Sequence, residues 1–486
     1  MIQTETLDTI VRHEEAPPEH TGEDVMPPVS VETDKPEAFR PAQPETLEDT
    51  GLTASQVQDL FLKILHRHGA LRGDQLAEVI ALPFGIIDDL LLSAQQRRFV
   101  EVTQALGHGR SGYTYSLTSE GRDRAEAALK TSRYIGAAPV PLEEFRRIIA
   151  AQSVRGNTVR REELEQAFAD LVMPEGVIDA LGPAVHSGGS IFLHGAPGNG
   201  KTAISERIGV LTSSSIFLPR ALVIEGHEMV LYDPVFHEPV DEEEQKPGPE
   251  SSLLFKDGPT YDTRFVHVKR PTVFVGGDLT MDQLDLQYDP YSKVYQAPFQ
   301  VKAAGGVLII DDFGRQRMRP EELLNRWVSP LEKGVDNLTL HSGIKFPVPF
   351  DCILIFATNL APQDLVDEAF LRRIQYKVEV RSPTRDAFEK ILRINCEEFG
   401  MEFHEEAVEL LFSEYYEACG FSPRGCHPRD LLKQIQAYAT YMGTRPALDA
   451  ESLHRAARSY FLVTEEEYSS GIPSRTDPIG DSHEQE

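Results

Sequence analysis

The amino-acid sequence predicts an α/β fold: a parallel sheet with a glycine-rich loop at one end, a smaller α+β unit before it and an all-helical unit after it. Three observations predict this. Apolar runs at 191–193, 306–310 and 352–357 each lead into a loop or a polar end, as buried parallel strands do. The first run passes into a glycine-rich turn and then a helix-forming stretch. Beyond residue 384 the runs give way to apolar residues at helical spacing as far as Phe461.

From the N-terminus, residues 1–50 are rich in Glu, Asp and Pro and are expected to be a disordered acidic tail. Residues 51–130 form a separate unit. Thr53 and Gln56 make a capping box, and Val57, Leu60, Phe61, Ile64 and Leu65 mark one helix face. Asp74 to Ile80 predicts a second helix. Pro83 to Gln96 predicts a third, with Ile86, Ile87, Leu90 and Leu91 inward. Alternation at 99–103 and 113–117 predicts two strands around a glycine-rich tip at 107–112. Three helices and a β-wing resemble a winged-helix domain, whose third helix enters the DNA major groove. Here that helix carries Asp88 and Asp89, with Arg97 and Arg98 at its end and Arg110 on the wing. DNA and a protein partner both remain open; the acids fit protein contact better. Residues 131–165 are expected to link this unit to the next, broken at 137–141 and carrying a helix around Leu142 to Ala151.

The nucleotide-binding domain is expected at 166–383. Gly195-Ala196-Pro197-Gly198-Asn199-Gly200-Lys201-Thr202 follows the strand Ile191-Phe192-Leu193 and opens a helix at Ala203. Glycines turn backbone N–H groups inward as an anion nest, and the helix N-terminus adds its positive end. Lys201 reaches β- and γ-phosphates and the Thr202 hydroxyl ligates Mg²⁺ in loops of this kind. The run 306–310 ends in Asp311 and Asp312: Asp311 is the candidate Mg²⁺ ligand, and Asp312 the candidate that orients or deprotonates an attacking water. The run from Cys352 ends in Asn359, a candidate contact to the γ-phosphate or to water. Residues 367–374 supply the paired Arg372 and Arg373, and Pro428-Arg429 starts a helix.

In order and spacing these parts resemble the AAA+ ATPase superfamily over roughly residues 165–463. The resemblance implies ATP and Mg²⁺ as cofactors and Walker A at Gly195 to Thr202. It implies Walker B at Asp311 and Asp312, sensor 1 at Asn359, an arginine finger at Arg373 or Arg372, and sensor 2 at Arg429. It also implies a ring, commonly a hexamer, in which the finger reaches the neighbouring subunit's nucleotide. Family members usually carry Glu where this chain has Asp312. Aspartate is one methylene shorter, which makes a slow, switch-like ATPase more plausible than a fast motor.

Two hairpin-like stretches, one before the Asp311 strand and one at 337–350, give a layout that resembles the MoxR-like ATPases and their helix-2-insert relatives. Residues 233–262 are expected to be an acidic insertion loop. Tyr288, Tyr291 and Tyr295 fit either a pore-facing grip on polypeptide or ordinary packing. Residues 384–463 are expected to be an α-helical lid of four helices, and 464–486 a second disordered acidic tail.

Composition fits a large machine. The chain has 486 residues, 41% of them apolar, and a formal charge of −29. That charge argues against broad coating of nucleic acid, which needs clustered Lys and Arg. No apolar run approaches a membrane span. The four cysteines show no CxxC spacing and suit a reducing cytoplasm. The expected function is ATP hydrolysis that remodels a protein partner. A DNA-associated loader, initiator or regulator, and a slow nucleotide-gated scaffold, are the alternatives.

Overall fold

The computed structural model describes residues 39–105, 109–156, 159–211, 214–240, 261–365 and 371–461. Residues 1–38 and 462–486, from the expected acidic tails, 241–260 of the expected acidic loop, and 106–108, where the expected glycine-rich tip begins, lie outside these residues.

The fold is α/β. Five parallel strands form the central sheet: β1 (Ile191–His194), β2 (Thr272–Val275), β3 (Val307–Ile310), β4 (Ile353–Thr358) and β5 (Tyr376–Glu379). Their spatial order is β2-β3-β4-β1-β5. β3 and β4 are buried along their whole length, as expected of strands covered on both faces. Register sets the site. Ile310 pairs with Phe356, and Thr358 with His194. Asp311, Asn359 and Gly195 therefore emerge together at the C-terminal end of the sheet. Trp327, Phe350 and Phe356 pack on one face, Ile191, Leu193 and Ile309 on the other.

Before the sheet, helices Ala54–His68, Gly73–Ile80 and Phe84–Gln96 pack on three antiparallel strands in the order 70–72, 113–117, 100–105. The Thr53–Gln56 capping box forms in both directions. The inward residues Val57, Phe61, Ile64, Leu65, Ile87 and Leu91 share one core.

Of a second five-stranded sheet only the hairpin before the Asp311 strand, 287–289 with 294–296, has a counterpart in the sequence expectations. The sheet orders 287–289, 294–296, 227–230, 221–224 and 140–141. Val140–Pro141, within the stretch expected as a linker, forms its edge strand, and the expected helix Leu142–Ala151 packs on it: Phe145, Ile148 and Ile149 are fully buried in its core. Residues 39–50, expected in the disordered tail, are likewise held. Phe39 packs on that core, and the Pro41 and Thr50 carbonyls accept from Asp262 N–H and Arg264 Nη1. Arg264 and Asp262 form a buried ion pair at 2.7 Å, so the C-terminal end of the expected acidic loop is fixed. Tyr295 is buried, and Tyr288 stacks on His341 with ring centroids 4.3 Å apart. Tyr291 is exposed beneath Arg133. Two of the three tyrosines thus pack within the domain.

The C-terminal part is helical: Arg385–Phe399, Glu405–Leu410 running on through Leu411–Glu417, His427–Met442 and Ala450–Phe461. Its own core includes Phe388, Leu392, Tyr415, Leu432 and Leu453. Among the described residues no helix is long and apolar enough to cross a membrane, and no three His, Cys, Asp or Glu residues converge on a metal site.

His427 is buried at the start of its helix and shares a 2.9 Å hydrogen bond with the Tyr416 hydroxyl. Burial, then the charge of Arg424, push its pKa down to about 4 from 6.5. The unfolded chain therefore binds the proton that the fold refuses. Stability from this group is present above about pH 6.5 and is lost as pH falls toward 4, by up to about 3 kcal/mol. Thermal melts between pH 7 and pH 4 are expected to show this loss, and His427→Gln to flatten it.

Candidate functional site

The site is built where β1, β3 and β4 end. After β1 the chain turns through Gly195, Gly198 and Gly200, all at positive φ, into the helix Lys201–Leu211. Two of these glycines are required sterically. A Cβ on Gly195 would lie 2.3 Å from the Val380 carbonyl oxygen, and one on Gly198 would lie 2.4 Å from Cys426 Sγ. Ala196 and Pro197 form the outer turn, and Ala203 sits in the first turn of the helix.

Lys201 is almost wholly buried, at 6% exposure. Its ammonium donates to the carbonyl oxygens of Gly195 (2.8 Å) and Ala196 (2.9 Å) and to Asn359 Oδ1 (2.6 Å). Burial pulls its pKa below the ordinary lysine value, and Asp311 and Asp312 oppose that. Asn359 Nδ2 in turn donates to Asp312 Oδ1 at 3.1 Å. This chain fixes the amide's orientation, because an ammonium only donates and a carboxylate only accepts. Beside it, Thr202 Oγ1 donates to Asp311 Oδ2 at 2.8 Å. A hydroxyl and a carboxylate oxygen meeting at one point form a hard-oxygen donor set that fits Mg²⁺.

The Asp pair is clamped from beneath. Asp312 is in the left-handed region at φ 50°, a conformation that Asp tolerates better than most residues. Gln316 accepts from Gly314 N–H and donates to the Asp311 carbonyl, and Thr358 Oγ1 donates to the Phe313 carbonyl. Gln316 was not legible as part of the site, because nothing in its local sequence marks it.

The structure therefore brings together Lys201, Thr202, Asp311, Asp312 and Asn359. The arginines are arranged differently. Arg373 Nε donates to Glu332 Oε1 at 2.7 Å, and Arg372 is exposed. Arg429 is exposed and faces Glu398 at 4.0 Å. The arginine beside the loop is Arg424, which sequence reasoning passed over.

Comparisons with known proteins add little. A family profile described as a domain of unknown function (DUF8689) matches residues 384–459, the helical C-terminal part. No curated protein matches the sequence. Among solved structures the chain is similar to NtrX from Brucella abortus in complex with ADP, at 14% identity and TM-score 0.38, over 74% of this chain and 71% of that one. It is also similar to the Thermotoga maritima RuvB Holliday junction branch migration motor, at 15% identity and TM-score 0.32, over 62% and 70%. Likeness at this level carries no weight for function.

The packing of Gly198 against Cys426 gives a test. Gly198→Ala adds a Cβ that must displace the thiol, besides roughly 1–2 kcal/mol of backbone strain. Labelling of Cys426 by a thiol reagent, followed by peptide mass mapping, is expected to become faster in this variant.

Proposed function

We propose that this chain is an ATP hydrolase of the AAA+ type that remodels a protein partner. The observation that carries the reading is the continuous hydrogen-bonded set Lys201–Asn359–Asp312 beside Thr202–Asp311. It aligns a buried cation, an amide and two carboxylates at the mouth of a glycine loop and helix N-terminus.

Each part has a role. Loop N–H groups from Gly198 to Ala203 cradle the phosphates. Lys201 exchanges the Gly195 and Ala196 carbonyls for phosphate oxygens and balances their charge. Thr202 and Asp311 would hold Mg²⁺, which supplies charge neutralisation at the phosphates when bound. Asp312 accepts a hydrogen bond from the attacking water and Asn359 fixes its position. The water oxygen bonds to the terminal phosphorus as the bond to the bridging oxygen breaks, leaving ADP and phosphate. Asp312, short and held at positive φ, suits slow turnover. Arg372 and the Glu332-bound Arg373 are the two candidates for a finger supplied to a neighbouring subunit in a ring, and the hairpin 335–339/345–349 before β4 supports a MoxR-like layout.

A protein partner is favoured over DNA by one contact. Arg110, the wing's candidate phosphate contact, is ion-paired with Asp88 of the third helix. The acid occupies the cation that a DNA backbone would need.

Two expectations test this. Lys201→Ala should lose ATP affinity by about 10-fold or more, as expected for removal of charge-assisted hydrogen bonds. Asp312→Asn should keep ATP but lose roughly 10²–10⁴-fold in turnover; equilibrium binding and phosphate release measure the two. If an arginine acts across an interface, specific activity rises with protein concentration and the mass of the active species exceeds that of one chain. A flat dependence with a monomeric mass contradicts the ring.

A further inference from the structure

Past the Asp pair the chain runs through Phe313-Gly314-Arg315-Gln316-Arg317-Met318-Arg319 to the helix Pro320–Lys333. Burial alternates along this strip. Phe313 and Met318 are buried in the core on the Trp327 face of the sheet, and Gln316 is half-buried. Arg315, Arg317 and Arg319 are exposed. The start of the strip is pressed in place: a Cβ on Gly314 would lie 2.5 Å from Leu365 Cδ2. The two bonds of Gln316, with one from Arg315 N–H to the Asp312 carbonyl at 2.9 Å, close the strip onto the turn that carries the Asp pair. The inner residues thus fix the strip and leave its three guanidiniums in solvent.

Those guanidiniums are unmatched. The chain has 77 acidic and 48 basic residues, and several exposed arginines elsewhere face acids: Arg161 with Glu165, Arg381 with Glu379, Arg385 with Glu409. Among the described residues no carboxylate stands within ion-pair distance of Arg315, Arg317 or Arg319. The acids next along the chain are otherwise placed. Asp311 accepts from Thr202, Asp312 accepts from Asn359, and Glu321 and Glu322 begin the following helix. Like charges held close together repel, and the packing of Met318 and the bonds of Gln316 keep these three together. An anionic partner removes the repulsion. A nucleic-acid backbone suits the strip poorly, because binding through phosphates needs many cations and the chain carries −29. The strip's aromatic ring, Phe313, is buried and offers no face to a base. Carboxylates suit it well, since the forked donors of arginine hold them in pairs.

We infer that Arg315, Arg317 and Arg319 form a docking strip for an acidic segment of a protein partner, and that docking there speeds ATP turnover. The second part rests on the proposed hydrolase reading of the Asp pair. Arg315 and Arg317 flank Gln316, so a segment that holds them also holds the amide whose two bonds fix the Asp311–Gly314 turn. Asp312, at positive φ, keeps its carboxylate on the attacking water only while that turn is held.

The test uses the full chain and fluorescein-labelled poly-L-glutamate. Anisotropy without nucleotide reads docking, and phosphate release with Mg²⁺ and ATP reads turnover. Wild type is expected to bind the probe, more weakly as salt is raised, and to hydrolyse ATP several-fold faster with it. The triple variant Arg315→Gln/Arg317→Gln/Arg319→Gln should lose about 10-fold in probe affinity, as expected for three exposed ion pairs, and should lose the stimulation. Replacing the same three by Lys keeps the charge without the fork and should recover part of the binding. Gln316→Ala should bind the probe as wild type does and lose the stimulation. Probe affinity unchanged in the triple Gln variant overturns the strip, and so does a loss carried instead by Arg97→Gln/Arg98→Gln at the end of the third N-terminal helix. Preference for single-stranded oligo(dT) over poly-L-glutamate also overturns it. Binding that leaves turnover unchanged overturns the coupling. Wild type that binds the probe but hydrolyses no ATP overturns the hydrolase reading and leaves the docking strip standing.

Discussion

The pairing register of three buried strands is the constraint on which the rest depends. Ile310 opposite Phe356 and Thr358 opposite His194 bring three strand ends level. A slip of one residue would also exchange the faces of the strand, driving Phe356 out of its contact with Trp327 and Phe313. The apolar packing on both sheet faces therefore specifies the register. The register in turn delivers Gly195, Asn359 and the Asp pair to one place. The site's geometry is a by-product of core packing, so its polar groups need no long side chains to meet.

What meets there is a buried ammonium without a carboxylate ion pair. Lys201 is satisfied by two carbonyls and an amide, which meets its hydrogen-bonding needs and leaves its charge only partly compensated. Burial lowers its pKa, and Asp311 and Asp312 supply nearby negative charge that opposes that shift. This balance differs from that of an ordinary structural ion pair. The bonds to carbonyl oxygens are replaceable by bonds to an anion, and the anion supplies the charge that the carbonyls lack.

Most of the central site was legible in the sequence. Gly195 to Thr202, Asp311, Asp312 and Asn359 all lie at the ends of short apolar runs, and position on such a strand is a local property. The cap at Thr53 and the helix faces of the N-terminal unit were local in the same sense. The second sheet was legible only in its hairpin of 287–289 and 294–296. Its strands are two to four residues long and owe their form to pairing between segments far apart in sequence. Residues 39–50 read as tail because they are rich in Pro, Glu and Asp, yet backbone carbonyls, Phe39 and Leu47 hold them. Arg424 and Gln316 carried no signal because their importance lies in what faces them across the fold. Arg429 matched a motif position and stands opposite Glu398 on the surface.

The most direct measurement is a structure of the full chain with Mg²⁺ and a non-hydrolysable ATP analogue. The account predicts the triphosphate along the 195–202 loop, Lys201 Nζ moved from the Gly195 and Ala196 carbonyls onto phosphate oxygens, and the Thr202–Asp311 hydrogen bond opened around the metal. An analogue bound elsewhere, or a loop that keeps its present hydrogen bonds at saturating nucleotide, would contradict it.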